Sequence, residues 1–165
     1  MSESYDLAPA DHVTVGTVGE VGQRVFLLQA ACGVDEVTLK VEKQQVAALS
    51  EYLGDLLDKL GRPAAPAAIG DLRPPSEPEW VVGSLGLAYD EDDDVVVLVA
   101  EELVEEGEEG AVARITMTRE QAASLATRGA ALVEAGRPAC PLCGFPVDPS
   151  GHACPRSNGH RPPTT

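Results

Sequence analysis

The sequence predicts an α+β fold in which a unit of three strands and one helix is used twice, giving a largely antiparallel sheet with two helices. Three observations predict it. Hydropathy along the chain switches from a period of two to about 3.6 and back again, prolines gather in two places, and the segments on either side of the first proline cluster match one another. Of 13 prolines, five fall between Pro63 and Pro78 and seven between Pro138 and Pro163. Proline lacks an N–H and is excluded from helix and sheet interiors, so these stretches mark a linker and a tail.

Each element has its own signal. From Asp11 to Val18, Val13 and Val15 alternate with His12 and Thr14; Arg24 to Ala31 is a continuous apolar run; Val37, Leu39 and Val41 alternate with Thr38 and Lys40. These predict three strands. From Lys43 the apolar residues Val46, Leu49, Leu53, Leu56, Leu57 and Leu60 form one helical stripe, and Gly61 stops it. Beyond the linker the series returns. Trp80 to Tyr89 and Val95 to Leu103 predict strands, Ala113, Ile115 and Met117 alternate with Arg114 and Thr116, and a helix runs from Arg119 to about Ala135.

The match extends to residues. Val15-Gly16-Thr17-Val18-Gly19 corresponds to Val82-Gly83-Ser84-Leu85-Gly86, and Gly61-Arg62-Pro63-Ala64 to Gly136-Arg137-Pro138-Ala139. The predicted organisation is therefore a first repeat over 11–62, a linker over 63–78, a second repeat over 79–137 and a tail over 138–165. Thr118-Arg119-Glu120-Gln121 is a capping-box sequence, whereas the first helix opens on Glu42. Gly129 stands where the first helix has Leu53; a glycine there costs about 1 kcal/mol of helix propensity, which predicts that another backbone approaches closely.

Charge divides the same way. The chain of 165 residues has 27 acids against 12 bases, a net charge of −15, split as −17 over 1–136 and +2 over 137–165. So acidic a body is a poor match for nucleic acid or an anionic membrane, both of which need a positive surface. No apolar stretch reaches the ~18 residues of a membrane span, and Met1 to Asp6 lacks the basic and apolar regions of a signal peptide; a cytoplasmic location is expected. Two acid runs, Asp90 to Asp94 and Glu101 to Gly110, read as solvated hairpin tips that guard strand edges and offer a surface to a basic partner; the first lacks the spacing of an EF-hand.

The tail holds the strongest chemical motif. Cys140-Pro141-Leu142-Cys143-Gly144 is followed by His152-Ala153-Cys154 and then His160. Two thiolates two residues apart on a tight turn hold one metal, and Cys140, Cys143, His152 and Cys154 make a four-ligand set for structural zinc, with His160 as the alternative to His152. A Cys140–Cys143 redox pair fits less well, since such pairs sit at a helix N-terminus in a βαβ setting. Cys32 and His12 in the body are expected to be core residues, not a nucleophile pair.

The layout as a whole resembles an uncharacterised actinobacterial family, a domain of unknown function. The likeness rests on the segments from Val15-Gly16-Thr17-Val18-Gly19 to Phe26-Leu27-Leu28-Gln29-Ala30, and on a tail like Cys140 to Cys143 through Gly151-His152-Ala153-Cys154-Pro155-Arg156. It implies an actinobacterial cytoplasm and supplies no activity, so no catalytic residue is carried over. The functional expectation is a non-catalytic, zinc-binding interaction or adaptor protein that docks a protein partner. The alternative is an enzyme or ligand-binding protein whose cleft between the repeats takes a small anionic, phosphorylated substrate through arginines such as Arg24, Arg62 and Arg137.

Overall fold

Alternation in the strands is resolved by one sheet with a common apolar side. Val13 and Val15, then Phe26, Leu28 and Ala30, then Val37, Leu39 and Val41 join a single buried cluster with Val82, Val96, Leu98, Ala113 and Ile115, and the helices add Val46, Leu49, Leu53, Ala122 and Leu125. A computed structural model of the chain describes residues 2–20, 22–61, 70–74 and 77–135. The elements are β1 (Tyr5–Leu7), β2 (His12–Val18), β3 (Val25–Cys32), β4 (Asp35–Val41), α1 (Lys43–Lys59), β5 (Trp80–Asp90), β6 (Val95–Glu102), β7 (Val112–Met117) and α2 (Arg119–Ala135). The α+β class is as expected: a seven-stranded mixed sheet, mostly antiparallel, with two helices. The order of three strands and a helix occurs twice, β2 to α1 and β5 to α2. No helix among the described residues is long and apolar enough to cross a membrane.

The sheet order is β1-β7-β6-β5-β4-β3-β2, with parallel pairs only at β1–β7 and β4–β5. Strand β1 was not foreseen from the sequence, and it changes the shape of the sheet. It pairs Tyr5, Asp6 and Leu7 with Ala113, Arg114 and Ile115 at one edge, while β2 begins five residues later at the opposite edge, where His12 pairs with Ala31. The short connection bridges both: Ala10 donates its N–H to Thr116 C=O at 2.8 Å and Asp11 to Ala31 C=O at 2.9 Å. The sheet is therefore rolled until its ends meet.

The apolar run of β3, interrupted only by Gln29, has a physical reason, because a strand covered on both faces need not alternate. Leu28 and Ala30 face the helices; Leu27, Gln29 and Ala31 face away, yet are no more than 1% exposed. Residues 70–74 cross that second face. Leu72 lies where a side chain at Gly16 would be, and the Gln29 amide holds the main chain of Arg73 from both sides, accepting from its N–H at 2.8 Å and donating to its C=O at 3.0 Å. The same amide donates to Thr38 Oγ1 at 3.0 Å and meets His12 Nε2 at 3.0 Å. Burying this polar group is tolerable because it is fully hydrogen-bonded.

Both helices start on a capping box. In α2 the Gln121 N–H donates to Thr118 Oγ1 at 3.1 Å and the Thr118 N–H to Gln121 Oε1 at 2.9 Å. In α1 Glu42 and Gln45 play these parts, with the Glu42 N–H donating to Gln45 Oε1 at 2.8 Å. The helices pack on each other at Gly129, where a methyl group would overlap the Ser50 hydroxyl and lie 3.3 Å from Val46 Cγ1. The expected close neighbour at that glycine is helix α1, but it is met through the side chains of Ser50 and Val46 and not through another backbone.

Candidate functional site

The predicted metal set, Cys140, Cys143, His152 and Cys154 with His160 as the alternative, lies outside the described residues, as do Arg62 and Arg137. Among the described residues no group of three or more His, Cys, Asp or Glu side chains is placed to hold a metal ion. His12 is buried and bonded to Gln29, which leaves it a core residue. Arg24, one of the anticipated anion contacts, borders a cleft of about 380 Å³ together with Lys40 and Lys43.

A second, larger cleft of about 700 Å³ separates α1 from β5. Its origin is local. Parallel pairing between β4 and β5 covers only Leu39 with Trp80 and Lys40 with Val81, because the chain leaves β4 after Val41 and enters α1 at Lys43. Where the ladder stops, the Gln45 amide donates to Val82 C=O at 3.1 Å, supplying a donor in place of a strand. Beyond that point the helix and the strand diverge. Leu49, Tyr52 and Leu56 line one side of the opening, Leu85, Leu87 and Tyr89 the other, with Asp55 and Lys59 among its polar residues. Tyr52 is 65% exposed, an unusual amount for a large apolar ring. The strand itself is bare of bulk, since Gly83, Ser84, Gly86 and Ala88 are its exposed residues.

Two acid-rich turns stand at the ends of β5. Following Tyr89, Asp90 accepts from the N–H groups of Asp92 and Asp93 at 3.0 and 3.2 Å and shapes the turn. Asp94, with a φ of +53°, is structural and differs from the solvated tip acid expected of it: it accepts from Arg119 Nε at 2.6 Å and from the Tyr89 hydroxyl. The Arg119 guanidinium, 5.5 Å from the Tyr89 ring centroid, completes that cluster. Glu91, Asp92 and Asp93 stay exposed.

At the other end Leu103 donates its N–H to Val81 C=O at 2.7 Å, and Gly83 is a glycine because a Cβ there would sit 2.9 Å from Leu103 Cα. The turn that follows carries exposed Glu105, Glu106, Glu108 and Glu109. Its neck is tied by Glu102, whose carboxylate accepts from the Ala111 N–H at 2.9 Å and from the Ser2 hydroxyl. Those two bonds, the first the stronger cause, hold the Glu102 carboxyl below the usual carboxylate range against the opposing effect of burial. Nearby, the Tyr5 phenol is pushed well above its ordinary range, first by burial and then by Glu79, to which it donates at 2.7 Å, and by Glu3.

The cleft was not legible from the sequence as a site. Its one signal was Tyr52, a large aromatic set off the helical stripe. A family model described as a protein of unknown function, DUF3090, matches residues 5–154. No curated protein matches the chain.

Proposed function

We propose that the chain, which belongs to the DUF3090 family of proteins of unknown function, is a non-catalytic adaptor of the cytoplasm that docks a basic protein partner and carries a structural zinc in its tail. The observation that carries the docking reading is the pairing of an open, apolar-lined cleft at β5 with acid-rich turns at both ends of that strand. Apolar contact supplies affinity, and the exposed carboxylates steer a partner of opposite sign and repel acidic ones. The zinc reading rests on donor chemistry: Cys140, Cys143, His152 and Cys154, or His160 in place of His152, are soft and borderline ligands at structural-site spacing.

The test of docking is titration of the full chain with polylysine, beside a variant carrying Glu105→Gln, Glu106→Gln, Asp92→Asn and Asp93→Asn. Saturable binding that weakens about tenfold in the variant, as expected when a complementary charge patch is neutralised, supports the reading; equal binding by both removes it. A second reading, a small anionic ligand, is favoured by Arg24, Lys40 and Lys43 around the smaller cleft, three cations gathered in an acidic chain. A thermal shift with inorganic phosphate that is lost in Lys40→Ala would support it.

A further inference from the structure

We propose that the partner supplies a β-strand: an extended segment with basic residues flanking an alternating apolar centre adds to the open edge of β5, within the cleft against α1. This rests on the docking reading above and specifies its mode. Beyond the bulge at Gly83, whose carbonyl lies 3.5 Å from the Gln45 amide, β5 pairs from Ser84 to Asp90 with β6 alone among the described residues. An antiparallel ladder takes the N–H and C=O groups of every second residue, so the remaining groups along this stretch face the cleft. An unpaired row of main-chain donors and acceptors is a template for another strand.

The molecule contains its own comparison. At β2, the opening strand of the other half, α2 reaches the free edge with an arginine: Arg128 donates from Nε to Val15 C=O at 2.6 Å and holds Asp71 at 2.7 Å through Nη2. The residue 76 positions earlier, at the matching place on α1, is Tyr52. It has no guanidinium to reach a carbonyl, stands largely exposed, and lines the cleft. On β5 the matching carbonyl, Val82, is taken instead by Gln45, which also lies 3.5 Å from the Gly83 carbonyl; past those two, no α1 side chain bonds the β5 main chain among the described residues.

Steric and electrostatic details fit an incoming main chain. A Cβ at Gly86 would meet nothing within 4 Å, and the other outward residues of β5 are small, so a strand can settle at its usual spacing of about 4.8 Å. Its alternate side chains would meet Leu85, Leu87 and Tyr89 below and Tyr52 across the cleft. The charges facing this site are Asp55 and Lys59 on α1, which offset one another, Glu101 beside Ser84, and the exposed acids of the two flanking turns. These favour lysine or arginine at both ends of the segment. They also disfavour a second copy of this chain, because pairing two β5 edges antiparallel would set the turn at Asp92 against the turn at Glu105.

The probe is a synthetic peptide with paired lysines at each end of a short valine–threonine alternation, added to the full chain and followed by amide NMR. Expected are saturable shifts along Gly83 to Tyr89, slowed amide exchange there, and binding about tenfold weaker when alternate peptide nitrogens are methylated, which removes ladder donors without changing charge. Tyr52→Ala, on an exposed helical position, should weaken binding without altering the fold. Equal binding by the methylated peptide, with shifts confined to the acidic turns, overturns strand addition and leaves docking standing. No saturable binding by either peptide or by polylysine overturns both. Undiminished binding by a peptide with glutamates in place of the lysines overturns the charge preference.

Discussion

Gln45 and Gln121 occupy the same place in the two helices and bond in the same way. Each accepts from the N–H of the residue that caps its helix, Glu42 or Thr118, and each turns its amide outward to a main-chain carbonyl of the strand region that opens the other half, Val82 at 3.1 Å and Ala10 at 2.9 Å. One side chain thus caps the start of a helix and fixes the position of the strand beside it.

Replacing either glutamine removes both bonds together. Gln121→Ala should cost about 1–2 kcal/mol, the range of a lost cap with its accompanying hydrogen bond, measured by urea unfolding. The two sites touch different partners, so Gln45→Ala combined with Gln121→Ala should be additive within ~0.5 kcal/mol; strong coupling would show that they act through a shared element.

Gln29 is the most exacting polar residue of the body. Gln29→Leu would leave the Arg73 N–H and C=O, the Thr38 hydroxyl and His12 Nε2 without the partner they have now. Each buried group so abandoned costs about 1–3 kcal/mol. A loss of several kcal/mol is expected in urea unfolding, with limited proteolysis at 70–74 appearing first.

At Gly129 the size of the replacement decides the sign. A leucine must part α1 from α2 against Ser50 and Val46, so Gly129→Leu should lower the melting temperature, by about 1–3 kcal/mol in stability. An alanine requires only that the Ser50 hydroxyl rotate aside, and its gain of roughly 1 kcal/mol in helix propensity offsets the crowding. Gly129→Ala should melt close to wild type.

Glu102 gives the acid limb of stability a defined shape. Its carboxyl is held low in the folded chain, so its contribution is present above the unfolded carboxylate value of about 4.3 and is lost as pH falls through the lower folded value. Glu102→Gln has no such titration. The stability difference between wild type and this variant should be constant at neutral pH and shrink progressively below about pH 4.3; a difference that persists unchanged in strong acid would remove the assignment.

For the tail, protein purified without a histidine tag should contain about one equivalent of zinc per chain, the stoichiometry of a closed four-ligand site. Cys143→Ser should lower that content and His160→Ala should not, if His152 completes the set. Zinc lost in His160→Ala and retained in His152→Ala would exchange the two histidines.

Much of the fold was legible because its signals are local. Alternation at Val37, Leu39 and Val41, the stripe from Val46 to Leu57, and the Thr118–Gln121 cap each declare one element by themselves. Strand β1 escaped because three residues, Tyr5 to Leu7, are too few to show a period, and their partners lie at the far end of the body. Gln29 passed as part of the apolar run of β3, because the main chain that satisfies it, at Arg73, lies in the proline-rich stretch read as a linker. The cleft was illegible for a different reason: it arises where β4 turns away from β5, a divergence between two segments that no spacing along the chain records. Its walls read as ordinary core stripe, and only Tyr52 stands out.

The roll of the sheet also sets an order of events during synthesis. Tyr5, Asp6 and Leu7 find their partners at Ala113, Arg114 and Ile115, about a hundred residues further on, so the first strand to leave the ribosome is among the last to be paired. A nascent chain that has completed β4 and α1 can assemble its first meander, but its N-terminal residues have no seat until β7 emerges. Such long-range pairing is slow and leaves an edge exposed in the interval. Delay between the two halves of translation would therefore prolong the vulnerable state, and a circular permutant that opens the chain within 63–78 and joins the old ends would shorten the Tyr5–Ala113 separation from 108 positions to 57.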